Sequence, residues 1–361
     1  VIHTVAPPRQ RALLVAVDLG DRARPLAPEF AEFAALARAT GVEIVGEVIQ
    51  RLPRVDPATL VGSGKAHALR DEAKALGADV LLVFNDLRPR QRTNLEKIVP
   101  IPIVDRTMLI LDIFAQHARS REGQLQVELA QLRYRQSNLI GVGADLSRLG
   151  GGVGTRGPGE TKLEVDRRKI AARVTLLQRQ LETVRKQRAT RRGGGGGDPF
   201  VALVGYTNVG KSSLLNRLAG STGNAFVADQ PFATLDPTLR RVYLGADRSI
   251  RLADTVGFIT ALPKELVNAF RATLEELEAA DLLVHVIDAA NPDWPRQRAS
   301  VESILAELDL ASKRTLLVAN KIDKLDAAAR AALPPDAIAV SAVANDGIDA
   351  LRAAIGAATE R

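Results

Sequence analysis

Phe200-Val-Ala-Leu-Val-Gly-Tyr-Thr-Asn-Val-Gly-Lys-Ser212 runs from an apolar pentad into the spacing GxxxxGKS, and Ser213 to Leu218 follow with helical character. A buried strand, a glycine-bearing loop and a helix start are what a bound phosphate chain requires. Glycines let main-chain N–H groups curl around phosphate oxygens, and the helix N-terminus adds the positive end of its dipole. The expected contact set is Gly205, Tyr206, Thr207, Asn208, Val209, Gly210, Lys211 and Ser212, with Lys211 reaching the β- and γ-phosphates and the Ser212 hydroxyl ligating Mg2+.

Working outward, Ile250-Arg-Leu-Ala-Asp-Thr-Val-Gly257 reads as a strand ending in DxxG. Asp254 is expected to hold magnesium through water, Thr255 and Val256 to line the phosphates, and the Gly257 N–H to meet the γ-phosphate. Leu282 to Ile287 and Thr315 to Ala319 read as further strands, the second ending in Asn320-Lys-Ile-Asp323. This NKxD spacing (Asn320, Lys321, Ile322, Asp323) reads guanine. The Asp323 carboxylate accepts both donors on the N1/N2 edge, which adenine lacks, and leaving it unpaired is expensive. Ala337 to Val340 forms a fifth strand, and Ser341, Ala342 and Val343 stand where a backbone N–H would read guanine O6. Any one of these runs alone could be an ordinary turn; their order on strand ends makes GTP/GDP the expected ligand.

Between the phosphate loop and DxxG lies Pro231-Phe-Ala-Thr-Leu-Asp-Pro-Thr238. A threonine is needed here to close over magnesium. Thr234 is the expected metal and catalytic residue, within a contact segment of Phe232, Ala233, Thr234, Leu235 and Asp236, because Phe-x-Thr-Leu resembles the Obg-like translational GTPases. Thr238 is then a structural, strand-start residue. The catalytic set is Lys211, Thr234 and Gly257. After DxxG stands Phe258, which cannot orient a water, so a slow intrinsic rate is expected unless another group helps. Asn208 is a candidate to help bind K+ between the phosphates; the alternative, that it only stabilises the loop turn, stays open.

The fold expected is α/β: a P-loop domain with a mostly parallel sheet (199–361), preceded by a small α/β domain (1–104) and an antiparallel helical hairpin (105–192). Strands and helices alternate over the first ~115 residues, as in a parallel sheet. Ala12 to Val17, Val42 to Ile49, Val80 to Phe84 and Pro100 to Val104 read as strands; Pro28 to Ala39, Lys65 to Leu76 and Arg90 to Ile98 read as helices. Thr107 to Ser137 reads as one long helix, Thr161 to Arg188 as a second, and about 141–160 as a glycine-rich loop joining the two arms. Gly193 to Gly197 are five glycines in a row, so 193–198 is a linker.

The chain has 361 residues and a net charge of +7, and the excess is local. Arg119 to Arg192 hold 17 Lys and Arg against 7 Asp and Glu, a net charge of +10, which favours a polyanionic partner over a solvated helix face. With no cysteine there is no disulfide framework or thiolate chemistry. No apolar run is long enough to span a membrane, and Arg9 and Arg11 precede any hydrophobic stretch. A soluble, cytoplasmic monomer is expected.

The run Gly150-Gly-Gly-Val-Gly-Thr-Arg-Gly-Pro-Gly-Glu-Thr-Lys-Leu-Glu164 is very similar to the signature loop of the HflX GTPases, as are Val104-Asp-Arg-Thr107, Leu111-Asp-Ile-Phe-Ala115, Gln126-Val-Glu-Leu-Ala-Gln-Leu132 and Phe232-Ala-Thr-Leu-Asp-Pro-Thr238. The resemblance spans about Leu60 to Ile348. It implies association with the large ribosomal subunit, dissociation of stalled or idle ribosomes in heat and antibiotic stress, and a hairpin reaching ribosomal RNA near the peptidyl transferase centre. Arg148, Arg156 and Lys162 are the candidate RNA contacts, since a glycine-rich loop can bring them close to phosphates. Some members carry a further C-terminal domain; this sequence runs about a helix past Ser341, so contacts through that domain are not expected. Val61-Gly-Ser-Gly-Lys65 resembles a shortened phosphate loop but lacks the full spacing, and a helix-start turn is the preferred reading. An RNA-remodelling NTPase acting on ribosomal RNA, with an additional ATP site in the N-terminal domain, is the alternative; a signalling switch with a protein effector is a third.

Overall fold

The computed structural model describes residues 9–21, 25–149, 162–192, 197–220, 232, 238–245, 248–260 and 277–360, with backbone alone at 139–149, 162–163, 185 and 187–192. It divides into two compact units, Val1–Gln116 with Val127–Arg179, and His117–Gln126 with Gln180–Arg361.

In the first unit, β1 (Arg11–Asp18), β2 (Glu43–Arg51), β3 (Val80–Val83) and β4 (Ile103–Asp105) form a parallel sheet in the order β2-β1-β3-β4. Helices α1 (Leu26–Ala39), α2 (Ser63–Leu76) and α3 (Pro89–Ile98) make the crossovers. Ala12 to Val17 and Val80 to Val83 are buried on successive residues, as strands covered on both faces must be. Leu13, Leu69, Leu81 and Leu95 join one core, each contributing about 1.5–3 kcal/mol when fully withdrawn from water. The Gly-Ser-Gly-Lys run opens α2: Gly62 is its N-cap residue and the helix runs from Ser63.

The stretch expected as one helix from Thr107 to Ser137 is two. Helix α4 (Arg106–His117) stops, and α5 (Arg121–Leu149) begins after a three-residue break. The cause is local capping. Ser120 Oγ accepts from Gly123 N at 2.9 Å, filling the first turn of α5, a bond that periodicity does not register. Asp105 does the same for α4, accepting from Met108 N at 3.0 Å. Its other oxygen meets Arg92 Nη2 at 2.6 Å and the Tyr134 hydroxyl of α5, a fully buried carboxylate with three partners. The stretch expected as loop from about 141 is helical as far as Leu149: the two lone glycines, Gly141 and Gly143, cost about 1 kcal/mol each in a helix, and a long helix absorbs this. Helix α6 (Lys162–Arg192) meets α5 through Arg173 and Glu128 at 2.7 Å.

The second unit holds a six-stranded sheet of β5 (Phe200–Gly205), β6 (Thr238–Gly245), β7 (Arg248–Asp254), β8 (Leu282–Asp288), β9 (Thr315–Asn320) and β10 (Ile338–Ala339), in the order β10-β9-β8-β5-β7-β6. All neighbours are parallel except edge strand β6, which begins at Thr238 and runs antiparallel to β7. Among the described residues, helices α7 (Lys211–Ala219), α8 (Trp294–Glu307), α9 (Ala327–Ala331) and α10 (Ile348–Thr359) connect or follow these strands. The chain leaves β5 toward β7 on one side and returns to β8 on the other. Winding reverses at β5, and such switch points open a crevice at the carboxyl ends of the strands.

Candidate nucleotide site

The phosphate loop leaves the carboxyl end of β5 at that crevice. Gly210 has φ 94°, in the left-handed region, and a Cβ there would lie 2.3 Å from Asn320 Nδ2, so only glycine fits. Asn208 takes φ 61°, which Asn tolerates better than most residues. Lys211 is 6% exposed, and its Nζ donates to the Gly205 and Tyr206 carbonyls at 3.0 and 2.8 Å. Burial pushes its pKa down to about 8, opposed by the nearby Asp254 carboxylate. A buried ammonium whose hydrogen bonds among the described residues go to two neutral carbonyls is poised for an incoming anion.

Ser212, in the first turn of α7, donates from Oγ to Asp254 Oδ2 at 2.5 Å; Asp254 ends β7 and is fully buried. A hydroxyl beside a carboxylate is a hard-oxygen donor pair that fits Mg2+, whose remaining positions are filled by phosphate and water. Among the described residues no three His, Cys, Asp or Glu converge as a metal cluster, and such a site needs none. Thr255 Oγ1 donates to the Leu203 carbonyl at 2.6 Å, pinning the start of DxxG to β5. Val256 is buried. At Gly257 a Cβ would approach Thr207 Cα to 2.9 Å and Lys211 Nζ to 3.2 Å, so its missing side chain is what lets the DxxG backbone reach the lysine. Phe258 is 2% exposed, turned into the core.

At the other end of the crevice, Asn320 joins two loops. Its Nδ2 donates to the Val209 carbonyl at 2.8 Å, and its Oδ1 accepts from Ala342 N at 3.2 Å. Lys321 pairs with Asp288 at 2.8 Å and donates to the Asn208 carbonyl at 2.7 Å. These two side chains therefore brace the phosphate loop, and of the NKxD polar residues the exposed Asp323 is the one presented outward. Its Oδ1 accepts from the fully buried Ser341 at 2.6 Å, and Ser341 Oγ accepts from Ala344 N at 2.9 Å, so the carboxylate is oriented from beneath. Ile322 is buried, and Val343 is exposed.

Residues 205–212, 254–257, 320–323 and 341–343 thus gather at one end of the sheet. Phe232 is buried with φ 59°. Ala233, Thr234, Leu235, Asp236 and Arg156 lie outside the described residues, and Arg148 and Lys162 are described by helical backbone alone. Sequence reasoning missed Asp288 and Arg217. Arg217 donates to the Ala342 and Val343 carbonyls at 2.9 and 3.1 Å, holding the guanine-side loop. The signal for Asp288 was available as a lone carboxylate closing an apolar strand; an exposed helical arginine has none.

Residues 28–115 match the family model described as GTP-binding GTPase N-terminal, 117–194 the GTP-binding GTPase Middle Region, and 200–321 a 50S ribosome-binding GTPase. The GTPase HflX of Caldanaerobacter subterraneus subsp. tengcongensis is 46% identical over 327 residues, covering 90% of this chain and 75% of the relative. That of Escherichia coli K12 is 48% identical over 297 residues, covering 82% and 69%. The chain belongs to the HflX GTPase family. As an HflX GTPase it binds GTP and hydrolyses it to GDP and phosphate. The HflX fold is also similar to a solved SsGBP–GDP complex, 25% identical with a TM-score of 0.52, covering 96% of this chain and 98% of that one. No described helix of this HflX chain is long and apolar enough to cross a membrane.

Proposed function

We propose that this HflX GTPase acts in the cytoplasm on the large ribosomal subunit, binding its RNA through the basic α5–α6 region and using GTP hydrolysis to control dissociation or rescue of stalled or idle ribosomes. The observation that carries the reading is one chain combining a guanine-nucleotide crevice with a segment, Arg119 to Arg192, of net charge +10. The match of 200–321 to a 50S ribosome-binding GTPase supports the choice of polyanion.

In the proposed mechanism the 205–212 loop wraps the phosphates and Lys211 offsets the charge that gathers on the β- and γ-oxygens. Ser212, Asp254 and Thr234 would hold Mg2+, which would supply positive charge against the phosphate oxygens. The Gly257 N–H fixes the γ-phosphate in line for attack by water. Asp323 selects guanine. Phe258, buried, leaves the water without a side chain to orient it, so the partner supplies that group or completes the geometry. Asn208 is proposed to bind K+ in addition to shaping its turn; equal hydrolysis in K+ and Na+ would remove that role.

The test is GTP hydrolysis with and without purified large subunits at low magnesium and moderate salt. Stimulation of at least about tenfold is expected, since a single well-placed group contributes that much or more. Absence of both stimulation and binding would leave the GTPase intact and remove the ribosome from the proposal.

A further inference from the structure

The segment after DxxG is fastened to the phosphate loop by a side chain that neither motif contains as a required residue. In the β5–β7 ladder Leu203 faces Asp254, but the next pairing along the same edge is Tyr206 with Phe258. Three residues advance on one strand and four on the other, so Thr255–Gly257 holds one extra residue, a bulge. Bulges re-aim a backbone, and this one is at the point where Gly257 comes against Lys211.

Both ends of the bulge are pinned. On the near side Thr255 Oγ1 donates to the Leu203 carbonyl at 2.6 Å. On the far side four hydrogen bonds join 205–207 to 258–260. Phe258 N donates to the Gly205 carbonyl at 3.1 Å, and Thr207 N donates to the Phe258 carbonyl at 2.7 Å. Thr260 N donates to the Tyr206 hydroxyl at 2.6 Å, and that hydroxyl shares a 2.7 Å bond with Thr260 Oγ1. The first two are main-chain bonds open to any sequence. The last two depend on the hydroxyl of one residue, itself 5% exposed, whose carbonyl also holds Lys211. Packing alone would be served by phenylalanine; the hydroxyl adds a two-point clasp on a single residue beyond the bulge.

We propose that Tyr206 is a positioning residue for hydrolysis: its hydroxyl, clasped to Thr260, holds the Gly257 N–H at the γ-phosphate in a site whose Phe258 side chain cannot orient water. The proposal rests on the reading of Gly257 as the γ-phosphate contact. It separates hydrolysis from nucleotide binding, because the clasp touches the DxxG side of the crevice and not the guanine side or the helix α7 amides.

The test compares Tyr206→Phe, Thr260→Val and the double variant in the full chain, measuring single-turnover GTP hydrolysis at saturating GTP alongside GDP affinity. Expected are a fall of about tenfold in the hydrolysis rate for Tyr206→Phe, which loses both bonds of the clasp, and a smaller fall for Thr260→Val, which keeps the bond from Thr260 N, with GDP affinity within about twofold for each. The double variant falls no further than Tyr206→Phe, because that substitution alone already removes both bonds to Thr260. Thr260→Val lies outside the phosphate loop and keeps the test valid should Tyr206→Phe fold poorly. An unchanged rate in both singles overturns the proposal, as does a loss of GDP affinity equal to the loss of rate, which would mark general damage to the loop. Unchanged hydrolysis in Gly257→Ala would remove the underlying reading and the proposal with it, and so separates the two failures.

Discussion

At the scale of single residues, polar groups are held in place before any ligand arrives. Asp323 is exposed yet oriented by Ser341, so guanine meets a fixed carboxylate. Replacing Asp323 by Asn exchanges one acceptor for a donor. We expect Asp323→Asn to lose at least about a hundredfold in GTP affinity while gaining affinity for xanthosine triphosphate, whose O2 accepts where guanine donates; competition binding with both nucleotides checks this. His285, on β8, shows the cost of burial without chemistry. It is 2% exposed, and burial takes its pKa down to about 4 from 6.5. Because the folded value lies below the unfolded one, the neutral ring's contribution is present in full above pH 6.5. It is lost as pH falls through 4, an effect of about 3 kcal/mol at ~1.4 kcal/mol per unit. His285→Leu is expected to flatten stability over that window, read as urea midpoints between pH 7 and pH 4; an unaltered acid limb would contradict it.

At the scale of elements, helix ends are decided by caps. The same Asp105 that starts α4 neutralises Arg92 and accepts from Tyr134, tying β4, α3 and α5 together. Desolvation, with the Asp105 charge adding to it, pushes the Tyr134 hydroxyl pKa upward, so it remains a donor. Asp105→Ala leaves the Arg92 charge partly buried and unpaired, and we expect a loss of about 3–5 kcal/mol in denaturant unfolding, partly recovered by adding Arg92→Leu. Ser120→Ala removes the α5 cap and is expected to cost about 1 kcal/mol. These bonds give physical content to the Val104-Asp-Arg-Thr107 resemblance: Asp105 caps and pairs, the Arg106 guanidinium lies 5.4 Å from the Phe84 ring centroid, and Thr107 donates to Asp86.

At the scale of the whole molecule, charge is segregated along the sequence: Arg119 to Arg192 carry a net charge of +10, and the nucleotide-binding motifs follow them in the chain. If the middle segment binds ribosomal RNA through phosphates, affinity for the large subunit falls linearly on a log–log plot against salt. Replacing Arg148, Arg156 and Lys162 together by Ala should weaken binding and reduce that slope by about 2–3, roughly 0.7–0.9 per lost phosphate contact. An affinity independent of salt would instead favour a protein effector.

What the sequence alone determined was whatever is written in local spacing. GxxxxGKS after an apolar strand, DxxG and NKxD each place their residues by chain geometry within a few positions, so the strands, the nucleotide class and the family were legible before any coordinate. The strand that begins at Thr238 was anticipated only by its first residue, because Arg240, Arg241 and Tyr243 on an edge strand do not make an apolar run. Tertiary structure alone decided the rest. That Asn320 and Lys321 brace the phosphate loop, that Arg217 holds a loop 125 residues away, and that Tyr206 clasps Thr260 are pairings between segments distant in sequence. A hydrogen bond across such a separation leaves no periodicity in either partner; only the sheet order that brings the carboxyl ends of β5, β7 and β9 together creates it.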